Sequence, residues 1–199
     1  RISTSFVRDT RDDFMNPSAG SRHVVRFELA GFGGEKFHKM SFETSHYWLI
    51  IGKLVGMLHG SISWADGWGD DNLPIFERYF MGGPKSLRGY TIKNIGPKDS
   101  SNNPVGGNQS LLLNAELQYP FTKGFRGFLF YDRGQLYGGG DSVSTTTTTW
   151  DLGNMRDSIG VGIRFISPFG PIGFAYGFKL DRAPDEKDAE FHFTAGNSF

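Results

Sequence analysis

Apolar and polar positions alternate with a period of two along much of this chain, most clearly in its C-terminal half. In 172–180, Ile172, Phe174, Tyr176, Phe178 and Leu180 alternate with Gly173, Ala175, Gly177 and Lys179. In 158–166, Ile159, Val161, Ile163 and Phe165 alternate with Gly160, Gly162 and Arg164. In 111–119, Leu113, Ala115, Leu117 and Tyr119 alternate with Asn114, Glu116 and Gln118. The last segment sets Phe191, Phe193, Ala195 and Phe199 on one parity. Upstream, Val25, Phe27 and Leu29 oppose Arg26 and Glu28, and Leu58, Ile62 and Trp64 oppose His59, Ser61 and Ser63. This is the period of a strand, whose successive side chains point to opposite faces. Helical signals are weak, the strongest lying at 74–81 inside a connection. The pattern predicts nine strands, at 2–12, 22–31, 38–49, 54–66, 109–119, 125–137, 154–166, 172–180 and 190–199. Short connections (16–20, 50–53, 120–124, 167–171) alternate with longer ones (32–37, 67–108, 138–153, 181–189).

A soluble antiparallel sandwich would also alternate. Against it, the polar parity carries charges in mid-strand (Arg26, Glu28, Glu116, Asp132, Arg164), the opposite parity is rich in aromatics, and the sequence ends on an aromatic within a strand. The expected fold is therefore all-β: an antiparallel transmembrane β-barrel, or the C-terminal portion of one, of about eight to nine strands. Short turns would face the periplasm, long loops the cell exterior, and an apolar outer face the lipid. Composition fits this better than a globular core. Only 38% of the 199 residues are hydrophobic, yet 15% are aromatic, and the 28 Gly and 19 Phe suit turns and strands. The 21 basic and 21 acidic residues cancel, which disfavours a nucleic-acid partner. Cysteine is absent, so neither a disulfide framework nor a thiolate metal site is expected. The sequence opens at Arg1 without a signal peptide, and is expected to be a piece of a longer precursor.

The connection at 67–108 is too long to be mere linkage. It reads Phe80-Met81-Gly82-Gly83-Pro84-Lys85-Ser86-Leu87-Arg88-Gly89-Tyr90, then Ile95-Gly96-Pro97-Lys98-Asp99, then Val105-Gly106-Gly107-Asn108 before the next strand. These three segments, in this order, resemble the BamA family of outer-membrane β-barrel assembly factors. The resemblance extends through Arg8-Asp9-Thr10-Arg11-Asp12, Ala30-Gly31-Phe32-Gly33-Gly34 and Ser167-Pro168-Phe169-Gly170-Pro171, and so covers essentially all of residues 1–199.

The resemblance implies a C-terminal segment of the family's barrel, without the periplasmic substrate-receiving domains. It places 67–108 in a loop folded back into the lumen. Gly82, Gly83, Leu87, Arg88, Gly89 and Tyr90 then form its central motif, and Val105, Gly106, Gly107 and Asn108 the junction with the next strand. Phe191, Phe193, Gly196 and Phe199 belong to a terminal strand that looks like an outer-membrane insertion signal. The family aligns Glu116, Phe130 and Asp132 as lumen partners of Arg88. Period two agrees, since Glu116 faces inward and Phe130 shares the parity of Asp132. An arginine withdrawn from water needs a carboxylate and gains from an aromatic face. Lysine would not serve, because only the guanidinium fork can bind carboxylates bidentately and stack at once. The three motif glycines would permit positive φ or close backbone approach.

By the same resemblance, the whole protein would fold and insert β-barrel proteins into the bacterial outer membrane by edge-strand pairing at a lateral seam. Its partners would be membrane lipid, unfolded β-barrel substrates and the accessory lipoproteins of an assembly complex. Nine strands cut from a larger ring would leave two open edges. These would pair with another copy, re-close after releasing 1–12, or meet the remainder of a longer chain. Two other functions stay open: a polypeptide secretion pore of the same superfamily, and a passive outer-membrane barrel. Enzyme signatures are missing. Gly31-Phe32-Gly33-Gly34 lacks the Lys-Ser/Thr of a phosphate loop. The five histidines lack ligand spacing, so neither a metal nor another cofactor is expected. The Thr145–Thr149 run reads as a low-complexity loop.

Overall fold

The fold is seen in a computed structural model that describes residues 1–31, 33–68, 72–138, 150–168, 170–182 and 186–196. Phe32, Phe169, Phe199 and the run Thr145–Thr149 lie outside these. Nine strands form one sheet: β1 (Ile2–Asp9), β2 (Gly20–Ala30), β3 (Phe37–Ile51), β4 (Leu54–Gly67), β5 (Gln109–Thr122), β6 (Phe125–Tyr137), β7 (Arg156–Ser167), β8 (Gly170–Lys179) and β9 (Ala189–Ala195). Each pairs antiparallel with its neighbour in sequence, in the order β1 to β9. Among the described residues no ladder joins β9 to β1, so the two edges expected from the sequence are present.

The two faces of the sheet are reversed relative to a water-soluble protein. Leu113, Leu117, Leu129, Ile159, Val161, Tyr176, Phe178, Phe191 and Phe193 are exposed on one side. The alternate positions are polar and buried: His59, Asn114, Glu116, Gln118, Arg126, Asp132, Ser158 and His192. In water this would leave an unusually large apolar patch uncovered. In a bilayer it is the stable arrangement, because the hydrocarbon meets apolar side chains and the backbone amides between the two edges bond to neighbouring strands.

Several boundaries differ from the pattern-based expectation. β1 stops at Asp9 rather than residue 12, although pairing runs on past it: the Thr10 amide donates to Ser21 O at 2.8 Å, and Ala19 O accepts at 3.2 Å from the amide of Asp12, which also captures the turn that follows. Its Oδ1 accepts from the amides of Ser18 at 2.8 Å, Asp13 at 3.0 Å and Ala19 at 3.1 Å. Such local side-chain bonds hold the turn. Conversely, β3 and β5 run on to Ile51 and Thr122, which shrinks the turns expected at 50–53 and 120–124 to two residues each. The expected strand start at 154 falls instead in a 3-10 turn, Leu152–Asn154, that Asp151 caps by accepting from the Gly153 amide. At 74–81 only Ile75–Glu77 forms a 3-10 turn. Among the described residues β9 spans Ala189–Ala195, with the amide of Gly196 held by Pro171 O at 2.8 Å, and positions 197–199 of the strand expected at 190–199 lie outside them.

Candidate functional site

Between β4 and β5 the chain runs over the inner face and is stitched back on itself by isolated bridges, Tyr79 with Gly107 and Met81 with Ile95. Apolar burial holds it there. Met81, Leu87, Tyr90 and Ile95 of the loop pack with Leu112 of β5 and Leu136 of β6 in one buried cluster. Removing such a side chain from water is worth roughly 1.5–3 kcal/mol. Leu112 and Leu136 lie on the inner parity, so the wall itself turns apolar where the loop sits.

Between the buried Leu87 and Tyr90 in sequence, Arg88 is itself only 2% exposed. The β5–β6 register sets its surroundings by facing Asn114 with Asp132 and Glu116 with Phe130. Arg88 Nε donates to Asp132 Oδ2 at 2.7 Å, Nη2 to Asp132 Oδ1 at 2.6 Å, and Nη1 to Glu116 Oε1 at 2.5 Å. Its Cζ stands 3.8 Å from the centre of the Phe130 ring. The fork thus spends its planar geometry on one bidentate carboxylate, one further carboxylate and one aromatic face, a combination a lysine ammonium cannot reproduce. Even the main chain takes part, with the Arg88 amide donating to Asp132 Oδ2 at 3.0 Å.

Other residues complete the cluster without having been singled out in the sequence. Asn114 Nδ2 donates to Asp132 Oδ1 at 2.8 Å and to Ser86 O at 2.9 Å. Gln118 Nε2 donates to the second oxygen of Glu116 at 2.6 Å, and Arg164 stands 3.6 Å from its first. Arg164 in turn lies over Phe128, 4.9 Å from the ring centre. Period two was the available signal, since Asn114 and Gln118 flank Glu116 at two-residue steps. Glycines make room for the rings: a Cβ on Gly160 would stand 2.5 Å from Phe130, and one on Gly162 would stand 2.3 Å from Phe128.

The remaining motif positions occupy three places. Gly89 has φ of +86° and lies on β8, where an added Cβ would come within 3.1 Å of the Gly177 carbonyl carbon. Gly82 has φ of +110° and Gly83 has φ of +99°, where the loop reverses; a Cβ on Gly82 would meet Thr91 O at 2.4 Å. The Tyr90 hydroxyl sits against the Asp181 carboxylate and 2.9 Å from Asp157 O. Val105, Gly106, Gly107 and Asn108 lie apart from Arg88, at the rim where β4, β5 and β6 begin or end. There Asn108 O accepts from the Ala65 amide at 2.8 Å and the Asn108 amide donates to Tyr137 O at 3.1 Å. Phe191 and Phe193 point outward from β9, 61% and 54% exposed. They flank Phe174 of β8, with ring centres 6.0 and 5.4 Å away.

Comparison with known proteins follows the same lines. The model of the Omp85 superfamily domain matches residues 1–199. An outer membrane protein assembly factor BamA from Nitratidesulfovibrio vulgaris is 32% identical over 204 residues, covering 98% of this chain and 25% of that protein. The BamA of Neisseria meningitidis serogroup B is 27% identical over 220 residues, covering 96% of this chain and 28% of that one. The chain therefore spans about a quarter of the length of these relatives. Its fold matches the crystal structure of BamA from Haemophilus ducreyi lacking POTRA domains 1–3, with a TM-score of 0.80 at 24% identity over 96% of this chain and 41% of that one.

Proposed function

The chain belongs to the Omp85 superfamily, and on that premise we propose that it is the C-terminal, seam-bearing segment of a BamA-type barrel that inserts β-barrel proteins into the bacterial outer membrane. The observation that carries this reading is the edge of β9. Among the described residues this short strand pairs on one side only, with β8. In hydrocarbon each unpaired amide costs several kcal/mol, so such an edge recruits another strand strongly. A substrate strand added there has its amides satisfied while it leaves the aqueous phase, and this accelerates folding without covalent chemistry or nucleotide. The Arg88 cluster supports the reading by holding the 67–108 loop against the inner wall, which keeps the wall rigid beside a weak edge. Accessory lipoproteins, in this reading, engage the parent protein.

Residues 1–199 contain no cysteine, so single cysteines placed in them allow a direct test by disulfide trapping in the full-length protein, with any cysteine elsewhere in it replaced beforehand. Phe193→Cys on β9 and Ile62→Cys on β4 both point outward, but only the first lies on an edge. During assembly, Phe193→Cys is expected to trap a cysteine-bearing substrate strand, and Ile62→Cys to trap none. Equal yields, or none at either position, would remove β9 as the pairing edge.

A further inference from the structure

The motif that anchors the loop to β5 and β6 does not end there. Arg88 engages those two strands, the next residue rests on β8, and two contacts go on to β9. Gly89 and Gly177 lie backbone to backbone, so close that a Cβ on Gly177 would stand 2.6 Å from Gly89 N. This approach carries the Gly89 amide past β8 to the edge strand, where it donates to His192 Nε2 at 2.8 Å. Two residues on, Thr91 Oγ1 donates to Glu190 Oε1 at 3.1 Å. Glu190 and His192 occupy the inner parity of β9, opposite in sense to the outward Phe191 and Phe193.

The Gly89 amide is buried, and a buried donor left without an acceptor carries the full desolvation penalty of the lost bond. His192 is likewise buried. It accepts only through an unprotonated Nε2, so the tie needs the neutral ring. Within the described residues β9 has one ladder, to β8, and seven residues in which to make it. A pair of contacts from the loop is therefore a large part of what fixes its position.

We infer that His192 is a positioning residue that ties the edge strand β9 to the loop held by Arg88, so that the loop sets where the edge stands and how readily it opens. The consequence for β9 as a pairing edge rests on the proposed function; the tie itself does not. Arg88, Gly89 and Thr91 then act as one strut across the inner face from β5 to β9. A change at the Arg88 cluster reaches the edge through the Gly89 amide, without touching any outward side chain.

Hydrogen exchange on the full-length protein in detergent micelles tests this. His192→Leu removes the acceptor and keeps an apolar side chain of similar bulk. It is expected to speed exchange of the β9 amides roughly tenfold, as the loss of one buried hydrogen bond implies, and to leave β2–β4 unchanged. His192→Gln restores an acceptor oxygen and is expected to return β9 to nearly wild-type exchange. Thr91→Val, a milder change, should speed β9 exchange by a smaller factor. Trapping through Phe193→Cys is then read in the same backgrounds. If His192→Leu leaves β9 exchange unchanged, or His192→Gln fails to restore it, the tie is wrong. If exchange responds as expected but Phe193→Cys traps no substrate in any background, the tie stands and the pairing edge does not.

Discussion

Replacing Arg88 with alanine is expected to destabilise the barrel segment by about 3 kcal/mol, the lower end of the range for breaking a buried ion pair. The full range is not expected, because the two carboxylates left behind keep some partners. Asp132 retains Asn114 and the amide of residue 88, and Glu116 retains Gln118 and Arg164. Arg88→Lys should fall between alanine and wild type. It keeps the charge but loses the bidentate contact with Asp132 and the stacking on Phe130. Denaturant unfolding in detergent micelles, followed by the fluorescence of the four tryptophans, measures all three proteins. The order wild type, lysine, alanine is the expected result. A lysine variant as stable as wild type would mean that the fork geometry contributes nothing.

Gly160→Val is expected to be at least as damaging, although it removes no contact. A Cβ at this position would stand 2.2 Å from Tyr176 O and 2.5 Å from the Phe130 ring. The Phe130 ring could turn aside, but only by leaving the face of Arg88. The Tyr176 carbonyl cannot move without breaking the β7–β8 ladder. Overpacking of this kind usually costs 1–3 kcal/mol, and the backbone clash puts the expected loss near the top of that range, about 3 kcal/mol. Val161→Ala, one residue away on the outward face, serves as the comparison and should change stability much less. The same unfolding measurement separates them. Equal losses at 160 and 161 would show that the space over Gly160 is not needed.

Much of this was legible in the alternation of residue types. Period two located all nine strands, because a wall between lipid and a polar lumen imposes opposite chemistry on successive positions. It also put Glu116, Phe130 and Asp132 on the inner face, and the structure brings all three to Arg88. What alternation does not carry is register and distance. Leu111-Leu112-Leu113 reads as a break in the pattern, yet Leu112 is apolar because the loop covers it. His192 is one of five histidines without ligand spacing, and nothing in the sequence sets it apart. Its partner, the Gly89 amide, lies 103 residues away, and main-chain groups leave no mark in a sequence. The end of β1 differs by three residues, although main-chain bonds from Thr10 to Ser21 and from Asp12 to Ala19 carry the pairing on toward the turn that Asp12 holds. Phe199, expected to close the insertion signal, falls outside the described residues.

The ion pair between Arg88 and Asp132 is expected to fix the loop to the wall, and assembly to depend on it. A charge-swap cycle in the full-length protein tests this most directly: Arg88→Glu, Asp132→Arg and the two together, with insertion of a reporter β-barrel into the outer membrane as the readout. Each single change sets like charges against each other in a buried site, and both are expected to abolish insertion. The double change restores opposite charges, although Glu116 stays beside the new glutamate at 88, so partial recovery is the predicted result. Insertion by Arg88→Glu at the wild-type level would show that assembly does not need the Arg88–Asp132 pair.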